Sequence, residues 1–258
     1  MVKILVFPRK NGYFKAFFNL FKNEHSIFLR INFICKEFFA LQKGALMQEN
    51  QKGKVLNPET CYISEDVTIE ENVVIYPNNY IEGKTIIKSG AVLLPNNFIR
   101  DSFIGENTQV FNSVIENSIV EDGVSIGPFA HLRPESKIES GVKIGNFVEI
   151  KKSKIGEKTK VSHLTYVGDA DVGKNVNIGC GVVFVNYNGK IKQKTVVEDN
   201  CFIGSSVNLI APITVEEKAF ICAGTTVDKN VEQGDFVIGR SRMTTKKGRA
   251  INYLKGDN

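Results

Sequence analysis

Three histidines, His25, His131 and His163, are the side chains of this 258-residue chain whose ordinary ionisation lies near neutral pH. An imidazole of that kind can take a proton from an attacking group and return it to a leaving one. Zinc held by histidines needs three of them, a close pair included, and His131 and His163 stand thirty-two residues apart. No metal centre is expected from this set. The five cysteines (Cys35, Cys61, Cys180, Cys201, Cys222) contain no C-x-x-C pair, and reduced thiols in a cytosolic protein are the simplest reading. Cations are the other chemical resource. Residues 185–195 bring Lys190, Lys192 and Lys194 around an Asn-Gly turn, which makes either an anion site or a solvated basic loop.

Charge is unevenly spread. Residues 1–40 carry seven Lys or Arg against two Glu, and residues 240–258 carry six against Asp257, so each end is +5. The middle, 41–239, has 20 basic and 25 acidic residues, leaving −5 of the net +5. Basic ends suit a phosphorylated ligand, a membrane surface or nucleic acid, or stay solvated. No apolar run reaches the length of a membrane span.

What must position these groups is written in a six-residue period. Aliphatic residues recur at Ile63, Ile69, Ile75, Ile81, Ile87, Leu93 and Ile99. After a slip they resume at Ile104 and Val110, then at Val120, Ile126, Leu132, Ile138, Ile144 and Ile150. A one-residue deletion carries the period to Ile155, Val161 and Val167, and a third clean run is Val197, Ile203, Leu209, Val215, Ile221 and Val227. Six is neither the helix nor the strand period. It is the step of an all-β, left-handed parallel β-helix whose triangular coils take three hexapeptides each. The aliphatic residue fills the prism and Gly or a turn former bends the corner. The chain then divides into an appendage over 1–50, a β-helix over 51–233 with an inserted loop at 185–195, and a basic tail over 234–258. The appendage holds nine of the eighteen Phe and is expected to be partly helical or irregular, with a membrane-surface role as an alternative.

Five stretches narrow the reading: Gly127–Pro134 (GPFAHLRP), Gly145–Lys152 (GNFVEIKK), His163–Gly179 (HLTYVGDADVGKNVNIG), Asn186–Gly189 (NYNG) and Ala223–Val227 (AGTTV). In this order and at these intervals the chain resembles, from about Leu41 onward, the acetyltransferase half of the bacterial bifunctional N-acetylglucosamine-1-phosphate uridyltransferase/glucosamine-1-phosphate N-acetyltransferases. The resemblance implies transfer of acetyl from acetyl-CoA to the 2-amino group of glucosamine 1-phosphate, in the synthesis of UDP-N-acetylglucosamine for the cell envelope. Residues 1–40 resemble no part of the family's nucleotidyltransferase domain, so uridyltransferase activity is not expected here. A separate uridyltransferase would then be a partner.

The resemblance assigns roles. His163 matches the general base, and Glu149 would orient or support its imidazole. Arg133, Lys151, Tyr166, Asn177 and Lys192 would hold the sugar phosphate, with Arg133 able to grip its oxygens in bidentate fashion. Arg133 and Lys151 lie eighteen residues apart, one coil, and such stacked cations repel unless an anion joins them. Acetyl-CoA would run past Cys180, Asn186, Tyr187, Ser205, Ala223 and Arg240, with a donor near Ser205 holding the thioester oxygen. No metal is implied for acetyl transfer, and the cysteines stand apart from the base, so direct attack in a ternary complex is expected.

The chain departs from the family at Asn188, usually Asp, and at Cys180, Val182 and Gly239, positions that bear on acetyl-CoA affinity. The family also implies a cytoplasmic homotrimer with active sites between subunits, binding no nucleic acid and spanning no membrane. Two other readings stand beside this one. They are an acyltransferase acting on another amino sugar, such as a nucleotide-linked one, and a non-catalytic β-helix kept for assembly.

Overall fold

Each six-residue step becomes a short strand and a corner, and three steps return the chain to the same face. The structure is a computed structural model that describes residues 53–253. The appendage read over 1–50 lies outside those residues. The described strands form three parallel sheets of eleven, ten and nine strands. The first wall runs from Lys54–Val55 to Phe236–Val237, the second from Tyr62–Ile63 to Thr226–Val227, and the third from Thr68–Ile69 to Ile213–Val215. Up to Thr226–Val227 the chain visits the walls in rotation, so each inner strand pairs with the strand one coil before and one coil after. The last strand of the first wall extends the stack past residue 233.

The aliphatic positions fill the prism. Ile75, Ile81, Ile87, Leu93 and Ile99 are fully buried, as are Leu132, Ile138, Ile150, Ile155, Val161 and Val167 further along. Burying one such side chain stabilises by about 1.5–3 kcal/mol. A single coil has nothing to bury against, so that gain exists only in the stack. The slip after Ile99 also has a structure. The core steps Ile99 to Ile104, Val110 to Ile115, Ile115 to Val120 and Ile150 to Ile155 are five residues instead of six. At these corners a left-handed residue (Asp101, Asn112, Asn117, Lys152) precedes a buried Ser, whose hydroxyl donates to the carbonyl two residues back at 2.7 Å. The Ser hydroxyl ties the shortened corner by that bond. Ile115, which the six-residue count passes over, is therefore a full member of the core.

Two elements leave the prism. After Val183–Val185 the chain departs from the edge between second and third walls and rejoins at Thr195–Val197, with Tyr187 and Lys192 bridged in antiparallel fashion. Beyond Val237 the chain is exposed and irregular, apart from a single turn at Arg249–Asn252.

Candidate active site

Most corners of the prism place one residue in the left-handed region, where Gly and Asn fit and bulky side chains are strained. On the edge between first and second walls those residues change character along the axis. They are Asn78, Asn96 and Asn112, then Phe129, Phe147 and Leu164, then Gly181, Ser206 and Gly224. The middle group is the exception to the steric rule. Phe129, Phe147 and Leu164 hold φ values of 59°, 55° and 47°, and each is more than half exposed. The two Phe rings stack with centroids 5.3 Å apart. An apolar ridge in a disfavoured backbone conformation thus leads up the edge to His163.

His163 ends the strand Lys160–His163 at this edge and is exposed. From it the edge climbs rung by rung. The Gly181 amide donates to the His163 carbonyl (3.3 Å), the Ser206 amide to Cys180 (2.8 Å) and the Gly224 amide to Ser205 (2.8 Å). The Arg240 guanidinium then donates to the Ala223 carbonyl at 2.8 Å. His163, Cys180, Ser205 and Ala223, scattered over the sequence, are thus successive rungs of one edge, and the Arg240 side chain reaches back onto the last of them. At roughly 4.8 Å per rung the four span about 14 Å. Beside the upper rungs stand Gly181, Ser206 and Gly224, so no bulky corner side chain obstructs that groove.

The second wall adjoins this edge and carries Arg133, Glu149, Lys151 and Tyr166. Glu149 is register-paired with His131 and Tyr166, and Lys151 with Gly168. The stacked cations are relieved in part from within the chain, because Arg133 donates to Glu149 at 2.8 Å. Glu149 therefore engages Arg133, whereas His163 Nδ1 meets Asn146 Oδ1 at 2.6 Å. Lys192, arriving from the inserted loop, comes close enough to Lys151 for the two ammonium groups to feel each other. Beside that second ammonium its own is pushed below the usual lysine range, with Asp169 and Tyr166 offsetting part of the effect. Two neighbouring ammonium groups repel, a cost that a multivalent anion between them would offset.

The remaining predicted residues are placed as follows. Asn186 is buried at the root of the loop and donates its amide to Asp169 and to the Tyr166 hydroxyl (3.4 Å). Tyr187 is exposed, its hydroxyl donating to the Gly189 carbonyl at 2.7 Å. Asn177 lies on the first wall, paired with Lys160 and Phe202, so this chain does not bring it to Lys151. Two residues escaped the sequence reading, Asn146 beside His163 and Asp169 beside Asn186. Both lie inside stretches already singled out, and Asn146 precedes His163 by seventeen residues, one coil with a shortened corner. Among the described residues no group of His, Cys, Asp and Glu is arranged to hold a metal. No described helix is long and apolar enough to cross a membrane.

Comparison with known proteins agrees with this geometry. The bacterial transferase hexapeptide (six repeats) family matches residues 117–152, and the hexapeptide repeat of succinyl-transferase matches residues 194–229. The bifunctional protein GlmU of Shouchella clausii is 49% identical over 203 residues, covering 79% of this chain and 44% of its own length. That of Clostridium novyi is 52% identical over 194 residues (75% and 42%), and that of Caldicellulosiruptor saccharolyticus 49% over 231 residues (90% and 47%). The chain thus spans a little under half the length of these relatives. Among solved structures, the Arabidopsis UDP-N-acetylglucosamine acyltransferase shares the fold, with a TM-score of 0.60 at 16% identity, covering 69% of each chain.

Proposed function

Because this chain belongs to the hexapeptide-repeat transferases, as a relative of the acetyltransferase half of the GlmU proteins, we propose that it acetylates the 2-amino group of glucosamine 1-phosphate with acetyl-CoA. One observation carries the reading. A single prism edge sets an exposed imidazole at one end and Arg240 at the other, with Lys151 on the adjoining wall and Lys192 reaching it from the inserted loop. A dianionic sugar phosphate is drawn to the paired ammonium groups and Arg133. Acetyl-CoA lies along the open upper rungs, its phosphates toward Arg240 and the basic tail, its thioester toward His163.

His163 takes the proton of the sugar's amine as the nitrogen attacks the thioester carbonyl. The new C–N bond makes a tetrahedral oxyanion, which donors around Ser205 stabilise. Collapse breaks the C–S bond, and the departing CoA thiolate receives a proton from the imidazolium. The product, N-acetylglucosamine 1-phosphate, would serve UDP-N-acetylglucosamine and cell-envelope synthesis. Cys61, Cys180, Cys201 and Cys222 are free thiols, which supports a reducing, cytoplasmic setting.

A homotrimer belongs to the same proposal. The exposed ridge of Phe129, Phe147 and Leu164 gives a second copy an apolar surface directly beside the base, and Asn177 would complete a site from another wall. The test is release of free CoA thiol from acetyl-CoA on addition of glucosamine 1-phosphate. His163→Ala is expected to lower kcat by about 10²–10⁴-fold, the usual worth of a general base. Equal turnover by that variant removes His163 as the base, and preference for a nucleotide-linked amino sugar replaces the acceptor.

A further inference from the structure

Resting on the acetyl-transfer reading, we infer that Asn146 is a positioning residue that fixes the tautomer of His163 and so decides which ring nitrogen is the base. The backbone prepares the pair. Lys143–Asn146 and Lys160–His163 are the two four-residue strands among the described residues, all others having two or three. Their extra length carries the ladder to the edge of the wall, where Asn146 and His163 are register partners. Gly145 permits the close approach, since a Cβ there would overlap the backbone of Ser162 in the next coil. At the end of this ladder Asn146 Oδ1 stands 2.6 Å from His163 Nδ1.

An amide oxygen only accepts, so Nδ1 carries the hydrogen, and the neutral ring keeps its lone pair on Nε2. Nε2 is then the atom that takes the amine's proton, while Nδ1–H stays bonded to Asn146 in both protonation states. An amide also adds no charge. A carboxylate in its place would favour the imidazolium and reduce the fraction of free base near neutral pH. The charged or titratable groups on the flanking segments are Lys143 and Lys160 on the first wall, Glu149, Lys151 and Tyr166 on the second, and Cys180 in the next coil, with Glu149 engaged by Arg133. Asn146 therefore orients the ring and brings no charge of its own to it.

The test uses the whole chain labelled with ¹⁵N-histidine, the His163 signals being those lost in His163→Ala. Above the ring's titration the parent is expected to show the Nδ1–H tautomer at His163. Asn146→Ala should shift the ring toward the Nε2–H form and lower kcat on the order of ten- to a hundredfold, with the KM for acetyl-CoA within about twofold. Asn146→Asp restores the acceptor, keeps the Nδ1–H form and moves the acidic limb of the kcat profile to higher pH. A tautomer unmoved by Asn146→Ala, or an acidic limb unmoved by Asn146→Asp, overturns the inference. Absence of acetylation by the parent chain, with the tautomer shift intact, defeats the acetyl-transfer reading alone.

Discussion

At the scale of single residues, the proposed phosphate site rests on the second wall and its loop. Lys192 is depressed because Lys151 stands beside it, so it gives up its proton at a lower pH than an ordinary lysine. The sign follows directly: as pH rises through that lowered range, one of the two cations is lost and phosphate binding weakens. Lys151→Ala is expected to return Lys192 to the usual lysine range in a ¹³C NMR titration. It should also weaken inorganic phosphate binding about tenfold or more, the worth of a hydrogen bond to a charged group. Asn188 is a different case. Its Oδ1 accepts the amides of Lys190 (3.0 Å) and Ile191 (2.9 Å), an arrangement that closes the turn presenting Lys192. Asp provides the same acceptor, so Asn188→Asp should leave the KM for acetyl-CoA within about twofold. Asn188→Ala should loosen the loop and raise the KM for glucosamine 1-phosphate. Steady-state kinetics with each substrate varied separates the two outcomes.

At the scale of strands and corners, the six-residue period made the walls legible before any coordinates. Ile63 through Ile99 and Leu132 through Ile150 sit where the count places them, on successive inward positions. What the count could not express is the five-residue step. A deleted corner residue and a Ser that hydrogen-bonds in its place look like noise in a string, and Ile115 was passed over for that reason. The Asn146–His163 contact was hidden for a related cause, because it depends on two strands running longer than their neighbours. Gly145 makes that extension possible. Gly145→Ala places a methyl group against Ser162 and must push apart the strands bearing Asn146 and His163. Overpacking of this kind costs about 1–3 kcal/mol. Calorimetry should show Tm falling by roughly 2–4 °C per kcal/mol, together with a loss of turnover larger than the loss of folded protein.

At the scale of the whole molecule, the resemblance in sequence located the rungs of the edge, while their alignment belongs to the fold. Cys180, Ser205 and Ala223 are separated by twenty-five and then eighteen residues, because the inserted loop consumes chain without consuming height. Assembly is testable at this scale. Phe147→Asp charges the ridge next to His163, and it should convert a species of three times the chain mass into monomer in analytical ultracentrifugation. The same variant should lose acetyl transfer, since its site would lack the neighbouring copy. A variant that remains trimeric and active would place the contact elsewhere. Each coil adds a fixed increment between His163 and Ala223, on which the Arg240 side chain rests, so toward the proposed acetyl-CoA this edge would act as a ruler graduated in coils. Splicing one extra coil between Ser205 and Ala223 would move the far anchor by about 4.8 Å, one graduation, and leave every contacting side chain unchanged. A cofactor of unaltered length could then reach the anchor or the base, but not both.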